Sequence, residues 1–101
     1  MQFDTKAGVD ELIFTPLEAR LDAHVAPAFR AALAERIEQG HRRLKINMEC
    51  VEFIDSSGLG ALVSAIKRIG RDGELRVCSL APAVRAMFEL TRLNRVIPIE
   101  D

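Results

Sequence analysis

The chain has 101 residues, 49% of them hydrophobic and 29% charged. That suits one domain over 1–101 with a modest core, and leaves little room for a deep cofactor cavity. Lys and Arg number 14 against 15 Asp and Glu, for a net charge of -1, which gives no electrostatic case for direct binding of nucleic acid. No apolar run approaches the ~20 residues needed to span a bilayer. Met1 to Thr5 has neither the basic nor the apolar region of a signal peptide, so membrane insertion is not expected and cytoplasmic residence is the default.

The basic residues cluster at Arg42, Arg43 and Lys45 and again at Lys67, Arg68 and Arg71. Runs of this kind are expected to be solvated faces. Cys50 and Cys78 make no disulfide framework. Both lie in apolar, strand-like stretches, where a free thiol behaves as a small hydrophobe.

Met1 to Lys6 reads as a weak strand and Ala7-Gly8-Val9-Asp10 as a turn. Glu11 to Leu17 is a strand with apolar residues on both faces, expected to be covered on both sides, with Pro16 near its end. Asp22 is the expected N-cap of a first helix carrying Val25, Phe29, Ala32, Leu33 and Ile37 inward. Arg30, Glu35, Arg36 and Glu38 face away, Pro27 sits in the first turn and Gly40 stops the helix. Leu44, Ile46 and Met48 alternate with polar residues as a strand. Cys50 to Ile54 reads as a short loop and an apolar approach to Asp55-Ser56-Ser57-Gly58-Leu59-Gly60. Leu59, Leu62, Val63, Ile66 and Ile69 mark a second helix, ended by Gly70 and Asp72-Gly73. Leu75, Val77 and Leu80 mark the next strand. Pro82 opens a third helix with a stripe of Val84, Met87, Phe88 and Leu90, and Asn94 to Ile99 gives a last short strand. The alternation predicts an α/β fold, a mixed sheet of four to five strands with about three helices packed as crossovers.

A serine nucleophile needs a base in reach and a group to orient it. The only histidines are His24 and His41, and neither is tied to Ser56 by a recognisable motif. The turn lacks G-x-S-x-G. No Cys or His pair has metal-ligand spacing, and the two glycines make neither a Walker nor a dinucleotide loop, so neither a metal nor a cofactor is expected. What remains is a strand-to-helix turn with hydroxyls at a helix mouth. One serine is expected to serve as N-cap, worth ~1 kcal/mol. Two glycines in a first helical turn each forgo up to ~1 kcal/mol relative to alanine, which points to a close approach by a neighbouring strand or a partner. A phosphate here would meet free N–H groups and the positive end of the helix dipole, so the fold should tolerate it. A partner docking on the turn would instead meet a bulky charge.

Phe53-Ile54-Asp55-Ser56-Ser57-Gly58-Leu59-Gly60 resembles the signature of bacterial anti-sigma factor antagonists, the single-domain members of the STAS fold. Weaker likenesses are Arg20-Leu21-Asp22 with Phe29-Arg30, Val77 to Val84, and Phe88-Glu89-Leu90-Thr91. The resemblance implies a binding protein rather than an enzyme. Its partners would be an anti-sigma factor that is also a serine kinase, and a serine phosphatase. Ser56 would be the phosphoacceptor, with Asp55, Ser57, Gly58 and Leu59 forming the docking surface and the free protein a monomer. Glu18-Ala19-Arg20 departs from the family's usual glycine, Lys45-Ile46-Asn47 from its more apolar strand, and the extra C-terminal helix common in the family is not seen after Ile99. Two other readings stand beside this one. The first is a STAS subunit of a phospholipid-transport ABC complex, binding its ATPase. The second is a small hydrolase using Ser56.

Overall fold

Leu12, Phe14 and Pro16 are buried while Ile13 and Thr15 between them are half-buried, the period-2 pattern of a strand with one face on a core. The same holds for Leu44 and Ile46 and for Leu75 and Val77. The computed structural model, which describes residues 1–101, joins these strands into a five-stranded sheet. Its order is β1 (Phe3–Ala7), β2 (Leu12–Pro16), β4 (Arg43–Asn47), β6 (Glu74–Cys78) and β7 (Ile99–Glu100). β1 runs antiparallel to β2, and the other pairs are parallel. The parallel neighbours are linked through α1 (Ala26–Glu38), α2 (Ser56–Ile69) and α3 (Pro82–Leu90), as the alternation of elements requires. One apolar cluster unites the inner sheet face with Phe29, Leu33, Leu62, Ala65, Val84 and Phe88 from the helices.

β2 is therefore not covered on both sides. Its reverse face carries Ile13 and belongs to a half-buried charged layer. There Lys45 pairs with Glu11 at 3.3 Å and with Glu100 at 2.7 Å, and Arg76 pairs with Glu11, Glu74 and Glu100. The Glu100 hydrogen bond raises the Lys45 pKa against the opposing effect of desolvation, and Glu11 adds to it. The same bond from Lys45, helped by Arg76, lowers Glu100. Lys45 is thus a paired strand residue rather than part of a solvated basic face, whereas Lys67, Arg68 and Arg71 are exposed as expected.

Other expectations change in detail. Asp22 does not cap α1, because a three-residue turn intervenes and Val25 takes the N-cap position. The Asp22 carboxylate caps that turn instead, accepting from the amides of His24 at 3.1 Å and Val25 at 3.4 Å. Partial burial would raise its pKa, but the hydrogen bonds from Arg20 and those amides prevail and lower it. Arg36 does not face solvent freely, since its guanidinium lies 5.3 Å over the Phe3 ring. Cys50 is exposed in a turn, not held in an apolar strand. Val63 and Ile66 are only half-buried, with Ala61 and Ala65 taking the core positions of α2. β6 ends at Cys78 because Ser79 turns to φ +60°, leaving Leu80 outside the strand. Leu90 is 79% exposed and leaves the α3 stripe. Residues 94–99 form no continuous strand. Leu93–Arg95 is a 3-10 turn, and the amides of Val96 and Ile97 are spent on the Leu93 carbonyl. Pro98 has no amide to give, so pairing begins only at Ile99.

Candidate functional site

The turn before α2 is held by a second, two-stranded sheet that the sequence did not reveal. β3 (Arg20–Leu21) runs parallel to β5 (Phe53–Ile54), pairing Arg20 with Phe53 and Leu21 with Ile54. The Asp55 amide donates to the Leu21 carbonyl at 3.2 Å. The Arg20 guanidinium lies 4.2 Å over the Phe53 ring, and Phe53 stays 38% exposed beside the turn. Two-residue strands carry no periodic signal, so Arg20-Leu21 read only as the approach to a helix.

Asp55 is the N-cap of α2. Its backbone is extended, and one carboxylate oxygen accepts from the amides of Ser57 at 2.8 Å and Gly58 at 3.1 Å. The expectation that a serine caps the helix is therefore corrected. Aspartate is as good a cap as serine, and its position one residue earlier leaves Ser56 and Ser57 inside the first turn. Neither hydroxyl has a hydrogen-bond partner within the protein. Ser56 is exposed and Ser57 half-buried.

The two glycines separate. Gly58 is buried and faces β3, where an added Cβ would overlap the Leu21 carbonyl oxygen and lie 2.7 Å from Ile54 Cγ1. Its close approach is to a strand of the same chain. At Gly60 an added Cβ would meet nothing nearer than Arg30 Nη2 at 4.0 Å. Leu59 is 5% exposed and packs into the core. The predicted site residues thus sit together on one turn. Asp55, Ser56 and Ser57 reach its surface, while Gly58 and Leu59 set its backbone.

Ser56, Ser57 and Gly60 line one side of an open groove of about 430 Å³, with Pro27 and Arg30 of α1 opposite. Helical spacing says of Arg30 only that it faces away from the core, and its place opposite Ser56 depends on the packing of α1 beside α2. His24 opens onto a separate groove with Met1 and Glu18, and His41 stands beyond the far end of α1. The Asp55 carboxylate is turned onto the backbone. The arrangement presents a free hydroxyl without a base poised to activate it.

A family model described as the STAS domain matches residues 2–101. The chain belongs to the STAS domain family. Among curated STAS relatives, the anti-sigma F factor antagonist of Paenibacillus polymyxa is 28% identical over 92 residues, covering 89% of this chain and 79% of its own. An anti-sigma factor antagonist from Mycobacterium paratuberculosis superposes with a TM-score of 0.87 at 23% identity, over 97% of this chain and 83% of that one. SpoIIAA of Bacillus superposes in its unphosphorylated form with a TM-score of 0.80 at 23% identity, over 99% of this chain and 89% of its own. Its phosphorylated form gives 0.72 at 22%, over 99% and 92%. These likenesses establish the mixed sheet with three helices as the STAS fold, with the Asp55 turn at the mouth of its second helix.

Proposed function

We propose that this STAS protein is an anti-sigma factor antagonist of the partner-switching type, with Ser56 as its phosphoacceptor. In its unphosphorylated form it binds an anti-sigma factor that is also a serine kinase. The kinase moves the γ-phosphoryl group of ATP onto Ser56 Oγ. The hydroxyl proton leaves, ADP departs and the complex separates. A serine phosphatase hydrolyses the ester and resets the protein. The protein acts as a binding partner in the cytoplasm and has no chemistry of its own, and the free form is a monomer.

The observation that carries this reading is the cap. Because Asp55 satisfies the first amides of α2, the Ser56 hydroxyl is exposed and unbonded, so a phosphate can be added without removing a stabilising contact. Exposure also favours Ser56 over the half-buried Ser57, a choice that periodicity and spacing left open. Asp55, Ser57, Gly58 and Leu59 form the turn on which the partner docks, the last two through the backbone they set. The names of the relatives support an anti-sigma partner, and no observation on the chain favours the transport-ATPase reading.

Incubation with a cognate kinase and ATP, followed by mass spectrometry, should place one phosphate on Ser56 and none in Ser56→Ala. A phosphate elsewhere, or none, sinks the proposal. Ser56→Asp should weaken partner binding at least tenfold, about 1.4 kcal/mol, with an unchanged circular-dichroism spectrum.

A further inference from the structure

Packing explains Gly58 but not Gly60. What lies over Gly60 is the guanidinium of Arg30, 4.0 Å from where its Cβ would be. Arg30 is exposed on α1 and lines the groove with Ser56 and Ser57. Its guanidinium makes no hydrogen bond and joins no ion pair. Some surface cations are engaged, such as Arg20 with Asp22, Arg43 with Glu74 and Arg68 with Glu38, and others besides Arg30 join no ion pair; what sets Arg30 apart is its place over Gly60 and beside Ser56. No carboxylate lines this groove, and the nearest one in sequence, on Asp55, is committed to the helix amides. A free cation therefore faces two free hydroxyls across an open groove.

We infer that Arg30 is the intramolecular counter-ion for a phosphate on Ser56, an inference that rests on the proposal that Ser56 is the phosphoacceptor. Gly60 is four residues after Ser56, so their Cβ positions share one helix face about 5–6 Å apart. A phosphate on Ser56 Oγ extends toward the guanidinium that already lies over Gly60, and arginine's planar fork suits two phosphate oxygens. Phosphorylation then does three things at once. It adds a bulky dianion to the docking turn and draws Arg30 away from any acidic group on a partner. It also ties α1 to the first turn of α2. The absence of a side chain at Gly60 keeps the path between the two open.

The test needs no kinase. Phosphoserine is installed at position 56 during translation, and the phosphate's second ionisation is followed by 31P NMR. Its midpoint should fall about 0.5 below the value near 6 of free phosphoserine, because a nearby cation favours the dianion. Arg30→Ala should raise the midpoint above the wild-type value, the α2 N-terminus keeping some of the lowering, and Arg30→Lys should fall between the two. Lys67→Ala, about three helical turns along α2, should leave it unchanged. Equal midpoints in the wild type and Arg30→Ala overturn the inference, as does an equal rise in Lys67→Ala. Since the phosphoserine is installed during translation without a kinase, failure here leaves the kinase reading standing, and failure of the kinase assay leaves this measurement intact. Arg30 is exposed and alanine is a strong helix former, so the variants should fold.

Discussion

Gly58→Ala and Gly60→Ala make the same chemical change two residues apart in one helix, and the structure assigns them opposite signs. Helix propensity alone favours both, by up to ~1 kcal/mol each. At position 58 the new methyl overlaps the Leu21 carbonyl oxygen and comes within 2.7 Å of Ile54 Cγ1. Neither neighbour can yield cheaply. Leu21 and Ile54 are 0% and 1% exposed, and the Leu21 carbonyl accepts the Asp55 amide. Overpacking of this kind costs about 1–3 kcal/mol, and displacing β3 adds a strained hydrogen bond of about 1 kcal/mol. The net expectation is about 2 kcal/mol of destabilisation for Gly58→Ala. At position 60 no atom is closer than 4.0 Å, so propensity prevails and Gly60→Ala should be neutral or up to ~1 kcal/mol more stable. For a chain of this size, 2 kcal/mol lowers Tm by about 8–16 °C. Urea melts of the two variants beside the wild type read the difference directly. If Gly58→Ala is as stable as Gly60→Ala, β3 does not press on the turn and the account of the site's rigidity is wrong.

Asp55→Ala removes the cap and should cost about 1 kcal/mol in urea melts, while Asp55→Asn, also a good cap, should recover most of it. A loss no larger in Asp55→Ala than in Asp55→Asn would contradict the observed geometry. The charged layer behind the sheet predicts a pH dependence of fixed sign. Glu100 has a lowered folded-state pKa, so its contribution is full above the ordinary glutamate pKa and is lost as pH falls through the lowered value. Lys45 is raised, so its contribution is full below the ordinary lysine pKa and is lost only as pH climbs through the raised one. Stability should therefore decline on the acid side, and Glu100→Gln should flatten that decline. An unchanged acid limb in Glu100→Gln would refute the assignment.

Period-2 and helical spacing sufficed for most of the elements because each has a buried stripe. Leu12 and Phe14, Leu44 and Ile46, Leu59 and Leu62, Val84 and Phe88 all lie where their spacing puts them. Spacing does not encode what lies beyond the stripe. The back of β2 reads as apolar from Ile13, yet the layer around it is charged, because Glu11, Lys45, Arg76 and Glu100 arrive there from four separate segments. β3 escaped notice because two residues make no pattern. The position of the turn was legible to the residue, but its cap was displaced by one, since serine and aspartate are nearly equal caps and stand side by side. Arg30 looked like any exposed helix residue. Only the packing of α1 beside α2 brings it over Gly60.

The turn is fixed in three independent ways: by the Asp55 cap, by the Asp55 amide on Leu21, and by the packing of Gly58 on β3. Rigidity of this kind bears on how a switch at Ser56 would work. A ligand or modification moves an equilibrium only by its differential interaction with two states, and nothing in these tethers offers the turn a second state. A phosphate on Ser56 would then act at the point of contact. On the proposed reading, the hydroxyl that a kinase would modify is itself part of the surface that the partner would meet, so charge and bulk there would oppose rebinding with no signal carried through the core. The same tethers would keep the surface of the unphosphorylated form preorganised, which would limit the ordering cost of docking. On this account Asp55 does two jobs that one serine could not combine. It holds the helix mouth closed, and by doing so it leaves the neighbouring hydroxyl free to be changed.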